Sequence, residues 1–218
     1  MSRRRIGRVL AQAGLHCTTR RRFKAPTAAG QAQPVAPHQR NRELTLEEPD
    51  TVYVGDIPSL PTGAGWLSLA VVLDLCSRAV VGWSMADHMR AELVHQALAM
   101  AIWQRQPAAG LIMHTDRGSQ YGAESYRHLL TQHGMQPSMS RKGTCWDNAV
   151  AESFLHALKT EMIFLEDFDT HEQAKTAVFE YIAVFYNRQR CHSAKGCLAP
   201  LAYEQALKTN EILCPEKC

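Results

Sequence analysis

The sequence predicts an α/β fold in which helices pack on both faces of a mixed sheet. Three apolar, strand-like runs separated by short turn signals come first, which is typical of an antiparallel meander. After them, two short apolar runs alternate with amphipathic segments of helical periodicity. A meander followed by strands that alternate with helices predicts one mixed sheet with covering helices.

The first predicted strand carries an acidic residue at its end. Valines alternate with other residues over 52–55, and this alternation places Asp56 on the valine face. A carboxylate on the apolar face of a strand is costly to bury without a partner. Pro58 follows two residues later and cannot donate a hydrogen bond to a neighbouring strand. We therefore expect it to end the strand pairing or to force an edge of the sheet. We also expect it to displace Asp56.

The other elements follow from periodicity and from turn residues. Upstream of the sheet, residues 3–13 fit one short basic helix, and residues 26–50 form a Pro-, Ala- and Gln-rich linker without a period. Downstream, in chain order, we predict strands at 66–73 and 79–85, a helix at 91–104, a strand at 111–115, a helix at 124–133, a strand at 135–139, a long helix with Asp147 as N-cap, a helix at 171–186 and a short helical stretch after Pro200.

Charge is distributed unevenly along the chain. Residues 1–42 contain ten Lys or Arg and no Asp or Glu, whereas the remainder contains 14 basic residues and all 21 acidic ones. A basic end beside an acidic body indicates a polyanionic partner, most simply nucleic acid. A solvated tail and an Arg-rich targeting peptide are the alternatives.

The cysteines and the hydropathy pattern exclude several classes of protein. Seven scattered cysteines do not suggest a disulfide framework, and reduced thiols in a cytosolic protein are the simpler interpretation. The four nearest the carboxyl end lack the paired spacing of a zinc knuckle; they are Cys191, Cys197, Cys214 and Cys218. Polar residues interrupt the most apolar stretch, 66–83, so no membrane span is predicted.

Three carboxylates could together form a metal site. If the first and fourth strands are neighbours, Asp56 and Asp116 meet near the centre of the sheet, and Glu152 can reach them from a covering helix. A like-charged pair ~4 Å apart costs ~4 kcal/mol at an effective dielectric near 20, so such a cluster requires cations. Oxygen ligands favour Mg²⁺ or Mn²⁺, and two such ions can promote phosphodiester chemistry. For each carboxylate, a surface charge is the alternative, or for Asp116 a turn.

Four segments around these carboxylates carry a resemblance to a known family. They read W-L-S-L-A-V-V-L-D-L-C-S-R-A-V-V-G-W, H-T-D-R-G-S-Q-Y, S-M-S-R-K-G-T-C-W-D-N-A-V-A-E-S-F and F-Y-N-R-Q-R-C-H-S-A. With them the chain resembles the integrase-type transposases of bacterial insertion sequences, the second-frame product of group three, over roughly residues 3–205. The resemblance implies a ribonuclease H-like fold and an Asp-Asp-Glu triad with two Mg²⁺, or Mn²⁺ as a substitute. By motif, the triad falls on Asp56, Asp116 and Glu152, and it cleaves element ends and joins their 3′-hydroxyls to new phosphodiesters.

The resemblance also implies partners and a domain organisation. The partners are DNA (element ends and target), further copies of the chain in a homo-oligomer, and a separate helix-turn-helix subunit from the first reading frame. No membrane is involved, and the location is the bacterial cytoplasm, on the nucleoid when bound to DNA. The expected division is a remnant of a basic DNA-binding region at 1–25, a linker at 26–50, an integrase-type catalytic core at 51–208 and a tail at 209–218.

Two departures from the family pattern keep alternatives open. The first motif usually has Trp, Thr and then Thr-Tyr around its aspartate, where this chain has Tyr53, Gly55 and Pro58-Ser59. Family members also usually carry a longer amino-terminal region with helix-turn-helix character. The alternatives to a transposase are therefore a truncated, inactive DNA-binding remnant and a ribonuclease H-type nuclease that cuts without joining.

Five basic residues are candidates for contacts with DNA. Lys159 lies two turns beyond Glu152 on the same predicted helix face, where it can hold a phosphate near the metals. Arg141 and Lys142 lie in a loop that could close on the substrate, while Arg188 and Arg190 form a basic strip with His192. A solvated surface charge is the alternative for each.

Overall fold

The computed structural model describes residues 2–15, 48–140 and 149–209. Within them the strands are β1 Val52–Asp56, β2 Ser59–Thr62, β3 Gly65–Asp74, β4 Val80–Ala86, β5 Ile112–Thr115 and β6 Gln136–Met139. The helices are α1 Arg3–Gln12, α2 Ala91–Arg105, α3 Glu124–Gln132, α4 Ala149–Leu158, α5 His171–Glu180 and α6 Pro200–Lys208. Helices α4 and α5 each continue into a π-helical segment, Lys159–Ile163 and Tyr181–Tyr186.

Strand β1 lies at the centre of a six-stranded mixed sheet. The order is β2-β3-β1-β5-β6, with β4 paired to the other edge of β3. Strand β1 runs antiparallel to β3 and parallel to β5, and β5 runs parallel to β6. The predicted antiparallel meander and the predicted α/β class are confirmed, and the first and fourth predicted strands are indeed neighbours.

The short strand β2 continues β1 along the same partner. Asp56 pairs with Val71 in β3, and Ser59 pairs with Ser68, so the register is unchanged across the two residues between them. Pro58 still accepts a 2.9 Å hydrogen bond from the backbone N–H of Leu69. Pro58 thus interrupts the strand without changing its register, and β2 lies at the edge of the sheet, which is the second of the two predicted outcomes. The displacement of Asp56 stays a prediction. Proline removes only the single bond it cannot donate, because the pairs on both sides hold the register.

Two apolar clusters cover the two faces of the sheet. Val52 and Val54 belong to the first cluster with residues of α4, α5 and their π-helical extensions. Tyr53 belongs to the second cluster with residues of α2 and α3. This division confirms helices on both faces, and it follows from the alternation of side chains along β1.

Helix α4 packs on the valine face through a broader stripe than the sequence predicts. Val150, Ala151, Phe154 and Leu158 are buried, whereas Leu155 of the predicted stripe is only half-buried. The predicted N-cap, Asp147, lies outside the described residues.

No helix in the described ranges is both long and apolar enough to cross a bilayer. Every described side chain of α1 is exposed.

Asn187 acts as a substitute strand partner at the start of β4. Its side-chain oxygen accepts from the backbone N–H of Val80 at 2.9 Å, and its side-chain nitrogen donates to the Val80 carbonyl at 2.9 Å. Its own carbonyl accepts from Leu201, so the residue also connects α6 to the sheet. The asparagine in the F-Y-N-R-Q-R motif thus has a structural role.

We expect Asn187→Ala to lower the free energy of unfolding by about 1–3 kcal/mol, because it leaves the buried backbone groups of Val80 without partners. Urea denaturation measures the change. The control is Gln189→Ala, two residues along and exposed, for which a change within about 0.5 kcal/mol is expected. Equal losses in the two variants would contradict the role assigned to Asn187.

A buried ion pair ties α6 to the end of α2. Arg105 makes two hydrogen bonds to the carboxylate of Glu204, at 2.7 and 2.8 Å. The side chains of Arg105 and Glu204 are 18% and 6% exposed. Asp50 lies 3.8 Å from the same guanidinium and accepts a 2.6 Å hydrogen bond from Tyr53 of β1. This network stands at the amino-terminal end of β1, away from Asp56.

Candidate active site

The register of the parallel strands brings the two aspartates to the same level. Val52 pairs with Ile112 and Val54 with His114, so the same offset two residues further places Asp56 level with Asp116. Asp56 also lies on the face of the valines, which is the face that α4 covers. The meeting of two parallel strand ends under a helix is therefore a direct result of the sheet topology.

Asp56 is held at the end of β1 by the backbone that follows it. The N–H of Ile57 donates to its Oδ1 at 2.8 Å. Burial raises the pKa of Asp56 to about 6, with the hydrogen bond from Ile57 opposing the shift. The negative charges of Asp116 and Glu152 raise this pKa further, and the positive charge of Lys159 lowers it. Three other charged side chains of the predicted site therefore act on Asp56.

Asp116 lies in the turn that follows β5. Its Oδ1 accepts a 2.8 Å hydrogen bond from the N–H of Gly118, and its carbonyl accepts one from Thr115. A β-carbon at Gly118 would lie 3.0 Å from that Oδ1, so any larger residue there would crowd the Asp116 carboxylate. The residue is exposed, although the surrounding protein still raises the pKa of its carboxyl by desolvation.

Glu152 projects from the first turn of α4. Its neighbours Val150, Ala151 and Phe154 are buried against the valine face, while Glu152 itself is exposed. Partial desolvation raises the pKa of Glu152. The charge of Glu152 also acts on Asp56, so the helix holds the third carboxylate near the first.

The carboxylates match divalent cations in chemistry. All three offer oxygen ligands, which Mg²⁺ and Mn²⁺ prefer, and their mutual repulsion at Asp56 is what a bound cation would relieve. In the part of the chain that the structure describes, no three His, Cys, Asp or Glu side chains converge closely enough to share one ion. Cys191 and Cys197 are exposed free thiols, and the other two cysteines of the disfavoured zinc set lie outside the described residues.

A buried polar cluster supports the turn that carries Asp116. His114 is fully buried, with Nδ1 3.0 Å from the hydroxyl of Ser138 and Nε2 3.2 Å from that of Ser140. Arg117 donates from Nε to the carbonyl of Ser140 at 2.8 Å. These bonds connect the end of β5 to the end of β6, so they stabilise the position from which Asp116 extends.

The predicted DNA-binding residues have different environments. Lys159 is half-buried at the start of the π-helical segment, near enough to Asp56 to affect its pKa. Arg188 is exposed, with Nε bonded to the carbonyl of Ala183. Arg141 and Lys142 lie outside the described residues.

Arg190 is engaged in an ion pair within the protein. Its guanidinium binds the carboxylate of Glu161 at distances from 2.7 to 3.0 Å, and Tyr181 donates to the same carboxylate at 2.8 Å. Burial, followed by the charge of Arg190, lowers the pKa of His192 to about 4, so this imidazole is neutral near pH 7. The strip is therefore less basic than its sequence suggests.

Sequence reasoning missed one residue that lies against both aspartate-bearing segments. Tyr121 is buried, and the charges of Asp56 and Asp116 both act on its hydroxyl. The available signal was its place in the H-T-D-R-G-S-Q-Y segment, five residues after Asp116. An aromatic residue there is ordinarily interpreted as part of the core.

Comparison with known proteins agrees with this geometry. Two family models, both described as integrase core domain, match residues 47–145 and 152–207. The chain is 40% identical over 205 residues to the insertion element IS600 uncharacterized 31 kDa protein of Shigella sonnei, covering 94% of this chain and 75% of that protein. It is 43% identical over 195 residues to transposase InsF for insertion sequence IS3A of Escherichia coli K12, covering 89% of this chain and 68% of that protein.

Solved structures share the fold at low sequence identity. A chain of the simian T-cell lymphotropic virus intasome, in complex with PP2A regulatory subunit B56 gamma, superposes with a TM-score of 0.61 at 14% identity, over 88% of this chain and 64% of that one. The HTLV-2 integrase catalytic core domain in complex with magnesium superposes with a TM-score of 0.52 at 15% identity, over 72% of this chain and 97% of that one. The sheet and its helices are therefore of the ribonuclease H-like type seen in retroviral integrase cores.

The fold defines an integrase-type catalytic core. With the similarity to curated transposases along most of its length, the chain belongs to the integrase-core family of insertion-sequence transposases. It is thus an enzyme of the polynucleotidyl transferase type.

Proposed function

We propose that the chain cleaves DNA at the ends of an insertion element and joins the freed 3′-hydroxyls to target DNA, with Asp56, Asp116 and Glu152 as its catalytic residues. The observation that carries the proposal is the common level of Asp56 and Asp116 on neighbouring parallel strands, beneath the helix that bears Glu152.

The three carboxylates would hold two Mg²⁺, or Mn²⁺ in their place. When bound, such ions activate an attacking oxygen and stabilise the leaving oxygen of a phosphodiester. Ile57 and Gly118 each direct a backbone N–H at one aspartate, which leaves the other carboxylate oxygen of each residue available as a ligand. The raised pKa of Asp56 means that cation binding competes with a proton at this residue.

Lys159 is the best-placed described residue to bind a DNA phosphate. It follows Glu152 along the same helical element, and its charge is felt at Asp56. Arg188 offers an exposed cation, and Arg141 and Lys142 remain proposals from the sequence. Arg190 is a weaker candidate, because its contact with Glu161 must be broken before its guanidinium can bind a phosphate. A homo-oligomer and a separate helix-turn-helix subunit remain proposals as well.

Strand transfer provides the direct test. Duplex oligonucleotides taken from the DNA on either side of the gene, with free 3′-hydroxyls, are incubated with supercoiled plasmid and the full-length chain in Mg²⁺. We expect oligonucleotide joined to plasmid with the wild type, and none in EDTA or with Asp116→Asn or Glu152→Gln. Asp167→Asn is the matched control, since this aspartate is exposed and outside the site.

The products distinguish the competing activities. Plasmid that is nicked without joined oligonucleotide identifies a ribonuclease H-type nuclease with the same residues. Equal joining by the wild type, Asp116→Asn and Glu152→Gln would overturn the assignment of the triad. Salt-sensitive binding to DNA without any cleavage in Mg²⁺ or Mn²⁺ identifies a DNA-binding protein that lacks the chemistry.

A further inference from the structure

Two buried tyrosines lie in edge-to-face contact on the face of the sheet opposite α4. Tyr121 follows the turn of Asp116, and Tyr126 lies in α3. Their ring centroids are 5.5 Å apart at an interplanar angle of 68°. They are 3% and 2% exposed, so both side chains are almost completely enclosed.

Tyr121 touches the two segments that carry the aspartates. A β-carbon at Gly55, the residue before Asp56, would lie 3.4 Å from the Tyr121 hydroxyl oxygen. A β-carbon at Gly118, which bonds Asp116, would lie 3.3 Å from Cδ2 of the same ring. One side chain therefore fills the space between the end of β1 and the turn after β5.

Gly55 is one of the positions at which the chain departs from the usual first motif of its family. A β-carbon there would also come within 2.7 Å of the terminal methyl of Met113. The space that a threonine side chain would need is thus taken by Met113 and by the Tyr121 hydroxyl. The glycine and the tyrosine fit together as one packing arrangement beneath Asp56.

The hydroxyls of the two tyrosines meet different surroundings. Burial, followed by the charge of Asp56, raises the pKa of Tyr121 well above its ordinary value, so its hydroxyl stays protonated beside the carboxylates. The Tyr126 hydroxyl is buried and has no hydrogen-bond partner among the residues that the structure describes. The pair therefore offers a matched comparison, in which the same atom can be removed beside the aspartates or away from them.

We propose that Tyr121 is a positioning residue that sets the separation of Asp56 and Asp116. It touches neither DNA nor cation, and it acts by fixing the backbones from which the two carboxylates extend. The inference rests on the proposed function, because the separation matters only if the two aspartates share cations. Two ions ~3.5–4 Å apart tolerate little displacement of their ligands, and loss of a residue that orients the ligands typically weakens metal binding about 10–100-fold.

The test compares Tyr121→Phe with Tyr126→Phe in the full-length chain. Binding of Mn²⁺ alone is measured by titration calorimetry, and strand transfer is measured as a function of Mg²⁺ concentration. For Tyr121→Phe we expect Mn²⁺ binding about 10-fold weaker and a correspondingly higher Mg²⁺ concentration for half-maximal joining. The rate at saturating Mg²⁺ should stay close to that of the wild type, and Tyr126→Phe should change neither quantity.

Gly118→Ala gives a second, independent measurement. Its methyl group would crowd the Tyr121 ring and the Asp116 carboxylate while leaving β1 unaltered, so weaker Mn²⁺ binding is expected here too. If Tyr121→Phe and Gly118→Ala both bind Mn²⁺ as the wild type does while Asp116→Asn does not, the positioning role is overturned and the proposed function stands. If Asp116→Asn itself leaves Mn²⁺ binding and joining unchanged, the proposed function fails instead.

Discussion

Replacing Asp56 by asparagine is expected to lower the rate of strand transfer about 10³-fold or more and, at the same time, to stabilise the protein in the absence of metal. The loss of rate follows because a metal ligand contributes several kcal/mol to stabilising the transition state. The gain in stability follows because the asparagine side chain would carry no charge, whereas Asp56 is desolvated and repelled by two other carboxylates. Removing one charge thus relieves the repulsion that, on the proposed function, a bound cation would otherwise relieve.

The pH dependence gives the sign of this stability effect. The pKa of Asp56 is raised from 3.8 to about 6, so between these values the folded protein binds a proton that the unfolded chain has released. Stability in EDTA should therefore fall as the pH rises through this window, and the full penalty, on the order of 1–3 kcal/mol, is present above about pH 6. The Asp56→Asn variant should lack the part of this decrease in stability that Asp56 causes. The parts caused by Asp116 and Glu152 should remain.

Urea unfolding in EDTA at about pH 4 and about pH 7 measures the effect for the wild type and for Asp56→Asn. Asp87→Asn is the control, since this aspartate is exposed beyond β4 and its replacement should leave both stability and joining unchanged. A wild-type rate of joining in Asp56→Asn would remove the residue from the triad. A variant that is less stable than the wild type at pH 7 would contradict the electrostatic explanation.

Replacing Glu204 by alanine is expected to cost about 3 kcal/mol of unfolding free energy. The guanidinium of Arg105 would lose both hydrogen bonds to Glu204, and the remaining acidic neighbour among the described residues is Asp50, at 3.8 Å. Breaking a buried ion pair at one partner leaves an uncompensated charge, which is more costly than removing both partners. Equilibrium urea denaturation measures the loss.

A double variant and an exposed pair provide the controls for this ion pair. Arg105→Met combined with Glu204→Leu should recover most of the stability, because no charge then remains buried. Lys175→Ala breaks an ion pair whose side chains are 38% and 82% exposed, and it should cost less than about 1 kcal/mol. If Glu204→Ala costs no more than Lys175→Ala, α6 is not held by the ion pair.

Much of the fold could be predicted because hydrophobic periodicity is local. The alternation over 52–55 determined the face of Asp56, and the short apolar run before Asp116 was too long for a turn and too short for a helix. Strand β2 was missed because Pro58 and Pro61 are strand breakers when considered alone. Their tolerance depends on the pairs with β3 on either side, and those pairs come from elsewhere in the chain.

The site was predictable where residue type alone suggests chemistry, and not where a distant partner decides it. Asp56, Asp116 and Glu152 were selected as carboxylates in recognisable motifs, and the structure brings them to one end of the sheet. Arg190 was interpreted as a DNA contact because its partner, Glu161, lies 29 residues away in sequence. Tyr121 is uncharged, so residue type alone did not select it, and its proximity to Gly55 arises only when β1 and β5 pair.

The parallel pairing of β1 with β5 also determines when the site can form. Parallel neighbours cannot be closed by a hairpin, so the meander and α2 must fold between Asp56 and Asp116 before these residues meet. Contacts of such sequence separation form slowly, and Glu152 is made later still during synthesis. If the three residues are catalytic as proposed, a newly made chain acquires its activity only after the polypeptide up to Glu152 has been synthesised and has folded.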